Sequence, residues 1–289
     1  MKDLIRLWEP SSEVSIKGTI FIIHGMGEYS KRYKNVCNYL RNHGYKVAII
    51  DHVGHGNNIK DLDELGLIKD KFRKSLKEIT DFIEIVRDDK PLFILGHSMG
   101  SFMAQNLLER GIINDGIILS GSARPSKFLI KFGYFLSKWF LLFGNKRNFF
   151  LNKLVFGKNN LGIEGNENFR WLTRDKKSVK KYEEDPLCGF IPYTSYFEGL
   201  FYLIGCSLKI GNKKNQIKTP IYIVSGLGDP VGGYGIAVKK LYKFYKQIGY
   251  RDVTLKLYLK GRHEMLNEIN NQEVYHGLLK WLDKRVGRG

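Results

Sequence analysis

The sequence predicts an α/β fold with a mostly parallel central sheet and helices on both faces. Two observations carry this. Short β-branched runs alternate with amphipathic stretches, the rhythm of parallel strands joined by helical crossovers. The one long break, residues 124–217, is aromatic, lysine-rich and glycine-rich. It is too long to be a structureless loop in a compact fold, so it reads as an inserted, largely helical subdomain. The core is then 1–123 with 218–289, and 124–217 the insertion.

Each element has its own signal. Strands are expected at 18–23 (GTIFII), 46–50 (KVAII), 92–95 (LFIL), 115–119 (DGIIL), 221–224 (IYIV) and 253–258 (VTLKLY). Helices are expected at 33–43, 72–87, 99–109, 236–247 and 268–285. In the second of these, Phe72, Leu76, Ile79, Phe82, Ile83 and Val86 share one helical face.

The chain has 289 residues, 43% of them hydrophobic, enough for a sizeable core and against whole-chain disorder. Lys and Arg number 47 against 29 Asp and Glu, a formal charge of +18. Such a field suits an anionic partner, whether membrane surface, nucleic acid or acidic substrate, and equally suits a solvated lysine-rich surface. Cys37, Cys188 and Cys206 lie far apart and make neither a disulfide framework nor a zinc spacing, so reduced cysteines in the cytoplasm are expected. Residues 1–10 carry Lys2, Asp3, Arg6 and Glu9 and do not read as a signal peptide. The nearest approach to a spanning helix, 186–208, is interrupted by Pro192 and Glu198 and falls short of about 18 consecutive apolar residues.

Gly96-His97-Ser98-Met99-Gly100 follows a strand and opens a helix, the context a G-x-S-x-G nucleophile turn requires. The turn presses its neighbours together, and Gly96 and Gly100 remove the Cβ atoms that would clash. A serine nucleophile needs a base, and the base an orienting acid. In the order nucleophile, acid, base, each on a loop after a strand, His263 follows VTLKLY and Asp229 follows IYIV. His276 lies within an amphipathic helix and reads as structural. Met99 N–H, just after the nucleophile, is one oxyanion donor. Met26 N–H, in the loop His24-Gly25-Met26-Gly27-Glu28, is the second, with His24 a structural imidazole framing that loop. Tyr29, Arg32 and Tyr33 are candidates for the pocket mouth. Asp51-His52-Val53-Gly54-His55-Gly56 offers metal-ligand types, but a turn at a strand end explains it better. No Walker A lysine or Rossmann glycine triple occurs, and no cofactor or metal is expected.

With these residues in place the chain resembles the serine hydrolases of the α/β-hydrolase fold, in the branch of monoacylglycerol lipases and lysophospholipases grouped with the serine aminopeptidase family. The matching segments are FIIHGMGEYSKRY, DHVGHG, ILGHSMGSFMAQ, WLTRD with DPLCGF, GLGDPVGGYG and GRHEMLNEIN, in order along nearly the whole chain. The resemblance implies Ser98 as nucleophile, Asp229 as acid, His263 as base and backbone donors at Met26 and Met99. It also implies that the insertion caps the acyl site. One departure is Val53, where related enzymes often carry arginine.

Residues 125–144, PSKFLIKFGYFLSKWFLLFG, interleave Phe128, Phe132, Phe135, Trp139, Phe140 and Phe143 with Lys127, Lys131 and Lys138. That pattern fits an interfacial helix on anionic lipid, and also a cap helix folding its apolar face over the site. Residues 124–196 hold 14 Lys/Arg against 6 Asp/Glu. A basic cap offers peripheral contact with an anionic inner membrane surface, whereas no nucleic-acid motif is present and no such partner is expected. The expected activity is ester hydrolysis on a single-chain lipid, monoacylglycerol or lysophospholipid. The alternatives are a soluble small-ester or peptide hydrolase with the same residues, and a non-catalytic basic binding module on the same scaffold.

Overall fold

A computed structural model describes residues 4–112, 114–209, 211 and 217–286. Residues 1–3 of the N-terminal stretch, and Ile210 with 212–216 at the end of the insertion, lie outside the described residues.

Seven strands form one sheet: β1 (Ile5–Trp8), β2 (Gly18–Ile23), β3 (Tyr45–Ile50), β4 (Leu92–His97), β5 (Gly116–Ser120), β6 (Ile221–Gly226) and β7 (Val253–Tyr258), in the order β1-β3-β2-β4-β5-β6-β7. Pairing is parallel from β3 to β7 across the sheet, and β1 adds to the β3 edge antiparallel. The six expected strands are present. The seventh, IRLW, is too short and too charged in its surroundings to announce itself, and its pairing with β3 creates it.

Each strand feeds both faces of the sheet. Phe21 and Ile23 of β2 enter one core, with α2 (Arg73–Val86), α3 (Met99–Glu109) and α8 (Ile236–Gln247). Ile20 and Ile22 enter the other, with α1 (Lys34–Asn42) and α9 (Asn271–Val286). The β2, β4 and β5 positions named in these cores are buried, which is why those strands read as unbroken apolar runs. Strand order reverses between β2 and β4, and in such sheets the crevice beyond the carboxyl ends at that switch point receives ligand.

Between β5 and β6 the described residues carry four helices: α4 (Lys127–Leu141), α5 (Phe149–Phe156), α6 (Lys176–Glu184) and α7 (Thr194–Ser207). α4 lays Ile130, Gly133 and Ser137 inward, and Gly133 admits the Phe201 ring of α7, where a Cβ would stand 2.5 Å from Phe201 Cζ. Phe128, Phe132, Phe135, Trp139 and Phe143 stay exposed.

Candidate active site

The site forms at the switch point. Ser98 sits between β4 and α3 at φ 50°, ψ −118°, a left-handed turn that non-glycine residues adopt at a cost. Its N–H donates to the Ser120 carbonyl at 2.9 Å. The two flanking glycines are steric necessities. A Cβ on Gly100 would fall on the Ile23 carbonyl, and one on Gly96 on the Gly100 carbonyl. The loop after β2 approaches equally closely, since a Cβ on Gly25 would stand 3.2 Å from Ser98 Cβ.

His263 and Asp229 are brought together from the loops after β7 and β6. His263 Nδ1 lies 3.1 Å from both Asp229 oxygens, and both side chains are buried. Asp229 Oδ1 also accepts Val231 N–H at 2.9 Å, and Ser225 Oγ donates to Oδ2 at 3.3 Å. Burial alone would push the Asp229 carboxyl up. The imidazole beside it and the backbone N–H groups of Gly232 and Val231 outweigh this and bring it below its ordinary value. For His263, burial lowers the pKa, but the Asp229 charge and hydrogen bond prevail and raise it.

Ser98, His263, Met26 and Met99 all line one cavity of about 160 Å³, with Asp229 behind the imidazole. Its wall is mainly apolar: Phe102 of α3, Val155 and Phe156 of α5, Leu200 and Ile204 of α7. A hydroxyl on a strained turn, beside a buried carboxylate–imidazole pair and a glycine-lined loop, is the arrangement acyl transfer uses.

The insertion is tied to the loops that follow β7 and β2. Trp171 O accepts His263 N–H and Leu172 O accepts Glu264 N–H, while the Trp171 ring lies 5.1 Å from that of His263. Arg262 donates to the carbonyls of Arg170 and Thr173, and Gly189 N–H donates to Gly27 O.

Three candidates for the pocket mouth are placed elsewhere. Tyr29 donates to Asp185, Tyr33 to Glu28, and Arg32 reaches Glu28 at 2.8 Å and both oxygens of Glu264 at 2.5 and 2.7 Å. The physical reason is burial: Glu28 and Glu264 are nearly inaccessible, and buried carboxylates require donors. Burial raises the Glu264 carboxyl, but Arg32 overrides it and holds the group down at about 2. Glu28 and Glu264 as a pair around Arg32, and His97 beside them, were not singled out from the sequence. His97 lies 5.0 Å from the His263 ring, and burial, then the His263 charge, lowers it to about 3, so it is neutral in the working range. A glutamate directly after His263 in Arg262-His263-Glu264 is the available signal.

His24, His52 and His55 pack together, the His24 and His52 rings tilted with centroids 3.9 Å apart and His55 edge-on to both. Their nitrogens engage one another's backbone and Tyr196, and Asp51 accepts the N–H groups of Ser30 and Asn57. The segment is a strand-end turn. Val53 is half-buried against the core.

This fold and site define a hydrolase of the α/β-hydrolase class. A family model described as serine aminopeptidase, S33, matches residues 14–270, and the chain belongs to that family. It is 24% identical over 291 residues to the monoglyceride lipase of Mus musculus, spanning 97% of this chain and 86% of the mouse protein. Among solved structures it superposes on a thermostable carboxyl esterase from Bacillus coagulans with a TM-score of 0.81 at 26% identity, covering 98% of this chain and 94% of the esterase. A lipase solved in its open form gives a TM-score of 0.83 at 24% identity, covering 98% and 94%, a likeness of fold.

Proposed function

We propose that the protein hydrolyses the carboxylic ester of a single-chain lipid, a monoacylglycerol or a lysophospholipid. The observation that carries this is that Ser98 and His263 line one mainly apolar cavity, with the buried Asp229 bonded to His263 behind it. The lipase and esterase named among the similar proteins point the same way.

With Nδ1–H of His263 donating to Asp229, Nε2 carries the lone pair and takes the Ser98 proton as Oγ attacks the ester carbonyl. The negative oxygen is met by the N–H groups of Met26 and Met99, the latter at the N-terminus of α3 where the helix dipole adds to the attraction. His263 returns the proton to the leaving alcohol. Water activated by His263 then releases the fatty acid from the acyl-enzyme.

Residues 124–217 act in this reading as a cap: α5 and α7 supply apolar wall for the acyl chain. α4 turns its aromatic face outward among Lys127, Lys131 and Lys138, all exposed, an arrangement suited to resting on anionic lipid. Among the described residues no helix is long and apolar enough to cross a membrane.

The test compares a two-carbon ester, a long-chain monoacylglycerol and a lysophospholipid, with Ser98→Ala as the blank. Long-chain turnover is expected, falling by about 10⁴-fold or more in the mutant. Turnover of the short ester alone would move the assignment to a small soluble substrate, and retained activity in Ser98→Ala would remove the mechanism.

A further inference from the structure

One buried hydroxyl joins the insertion to the nucleophile turn. Tyr196 lies in the first turn of α7 and is fully buried. Its Oη stands 3.1 Å from His55 Nε2 and 3.0 Å from Met99 Sδ, residues 141 and 97 positions away. His55 Nδ1 lies 3.1 Å from the Val53 carbonyl, which can only accept, so Nδ1 carries the proton and Nε2 offers a lone pair. Burial lowers this imidazole to about 4, which keeps it neutral near pH 7. The phenol is therefore the donor toward both neighbours, with Nε2 the stronger acceptor and the thioether the weaker. The Phe72 ring meets the Tyr196 ring edge-on at 5.0 Å.

Met99 carries one of the two N–H groups proposed to meet the oxyanion. An unbranched methionine side chain does little to fix its own position, so a partner for the sulfur decides where it lies. Tyr196 is not in the described cavity wall, so it reaches the reaction only through Met99. Leu200 and Ile204, one and two turns along the same helical face, do line the cavity. Between them Asn106 of α3 donates to the Leu203 carbonyl at 3.1 Å. α7 is thus registered on α3 at two points, and the one at Tyr196 falls on the residue next to the nucleophile.

We propose that Tyr196 is a positioning residue: its hydroxyl seats the Met99 side chain, and through it the helix α7 sets the Met99 N–H against the oxyanion. The proposal rests on the acyl-transfer reading and adds to it that the insertion tunes the oxyanion site as well as walling the acyl chain. Removing an oxyanion donor outright costs about 10²–10³ in kcat, and a donor held slightly out of place forfeits part of that.

The test uses Tyr196→Phe, Met99→Leu and the double variant. Met99→Leu nearly conserves volume and removes the sulfur. Active sites are counted by titration with a fluorophosphonate, so kcat refers to folded, reactive enzyme alone. On a dissolved short ester, Tyr196→Phe is expected to lower kcat about tenfold while KM stays within about twofold of wild type. A trifluoromethyl ketone is the second probe. Ser98 Oγ adds to its carbonyl carbon, the carbonyl oxygen becomes an oxyanion and His263 takes the serine proton, so its affinity should fall by the same factor as kcat. A residue that merely packs α7 changes the active fraction and the urea midpoint, and leaves both readings unmoved. In the Met99→Leu background the effect of Tyr196→Phe should shrink to about twofold or less, because the path through the sulfur is already gone. An equal effect in both backgrounds, or wild-type kcat and ketone affinity in titrated Tyr196→Phe, overturns the proposal alone. If Tyr196→Phe does not fold, Met99→Leu decides: kcat and ketone affinity falling together supports the proposal, and both unchanged overturns it. Wild-type protein that neither turns over esters nor reacts with the fluorophosphonate overturns the acyl-transfer reading and the proposal with it.

Discussion

At the residue scale, the proposed base His263 is expected to set the pH dependence. Asp229 raises the imidazole above its ordinary value of about 6.5 despite full burial. A protonated imidazole cannot take the Ser98 proton, so kcat/KM is expected to rise with pH through a value above that reference. The protonated form is the one the fold favours: its contribution to stability is complete below the unfolded pKa and is lost as pH rises through the folded one. Activity is therefore gained over the range in which that contribution disappears. In Asp229→Asn the acid limb should move to lower pH and kcat should drop by about 10⁴-fold, through loss of the charge and of the correct tautomer. A pH–rate profile of the variant with an unmoved limb would assign the titration to another group. The nearest other imidazole, His97, is held far below this range by burial.

At the scale of the element, the β4–α3 turn does the positioning. Ser98 pays for its left-handed backbone with its own N–H bond to Ser120 and with the close seating of α3 under the loop after β2. That seating has no room for a methyl group at Gly100, which would meet the Ile23 carbonyl and, at 2.6 Å, the His24 carbonyl. Gly100→Ala is expected to cost about 1–3 kcal/mol or more in urea unfolding, and to lower kcat beyond what the unfolded fraction explains, because α3 carries Met99 N–H. A fully stable and active variant would mean that β4 and α3 can shift apart freely. The glycine spacing and the strand before it made this turn legible in the sequence, since Gly96 and Gly100 constrain each other four positions apart, whereas the contact of Gly100 with Ile23 and His24 is made only by the fold. α4 was half legible. Its aromatics and lysines are plain, but their spacing is compatible with an inward or an outward apolar face. The small residues Gly133 and Ser137, against Phe201, set the helix with its aromatics outward.

At the scale of the molecule, charge and exposed apolar surface lie together on the 124–196 segment. Phe128, Phe135, Leu142, Phe143 and Phe149 are each about two-thirds exposed or more, from 66% to 79%. So large an apolar patch ringed by lysines is expected on a surface that meets lipid. Binding to vesicles containing anionic lipid should be strong at low salt and weaken as salt shortens the screening length. Replacing Phe128 and Phe135 by serine should weaken it at all salt concentrations while sparing turnover of a dissolved short ester, since α4 contributes no residue to the described cavity wall. Sedimentation with vesicles reads both effects. Equal binding to neutral and anionic vesicles, with no effect of the serines, would make the patch a packing surface for something else.

The sequence by itself determined the alternation of strands and helices, the strand-to-helix turn at Ser98 and the chain order of Ser98, Asp229 and His263. Each of these is written in local pattern: apolar runs buried on both faces of a parallel sheet, glycines where a turn admits no Cβ, and loops that follow strands. Tertiary structure alone decided the rest. β1 exists because β3 offers an unpaired edge. Arg32 turned from the pocket mouth to Glu264, 232 positions away, because two buried carboxylates need a cation more than the surface does. The pairing of these buried charges is the fold's doing, since composition counts charges and only the fold says which of them are kept from water.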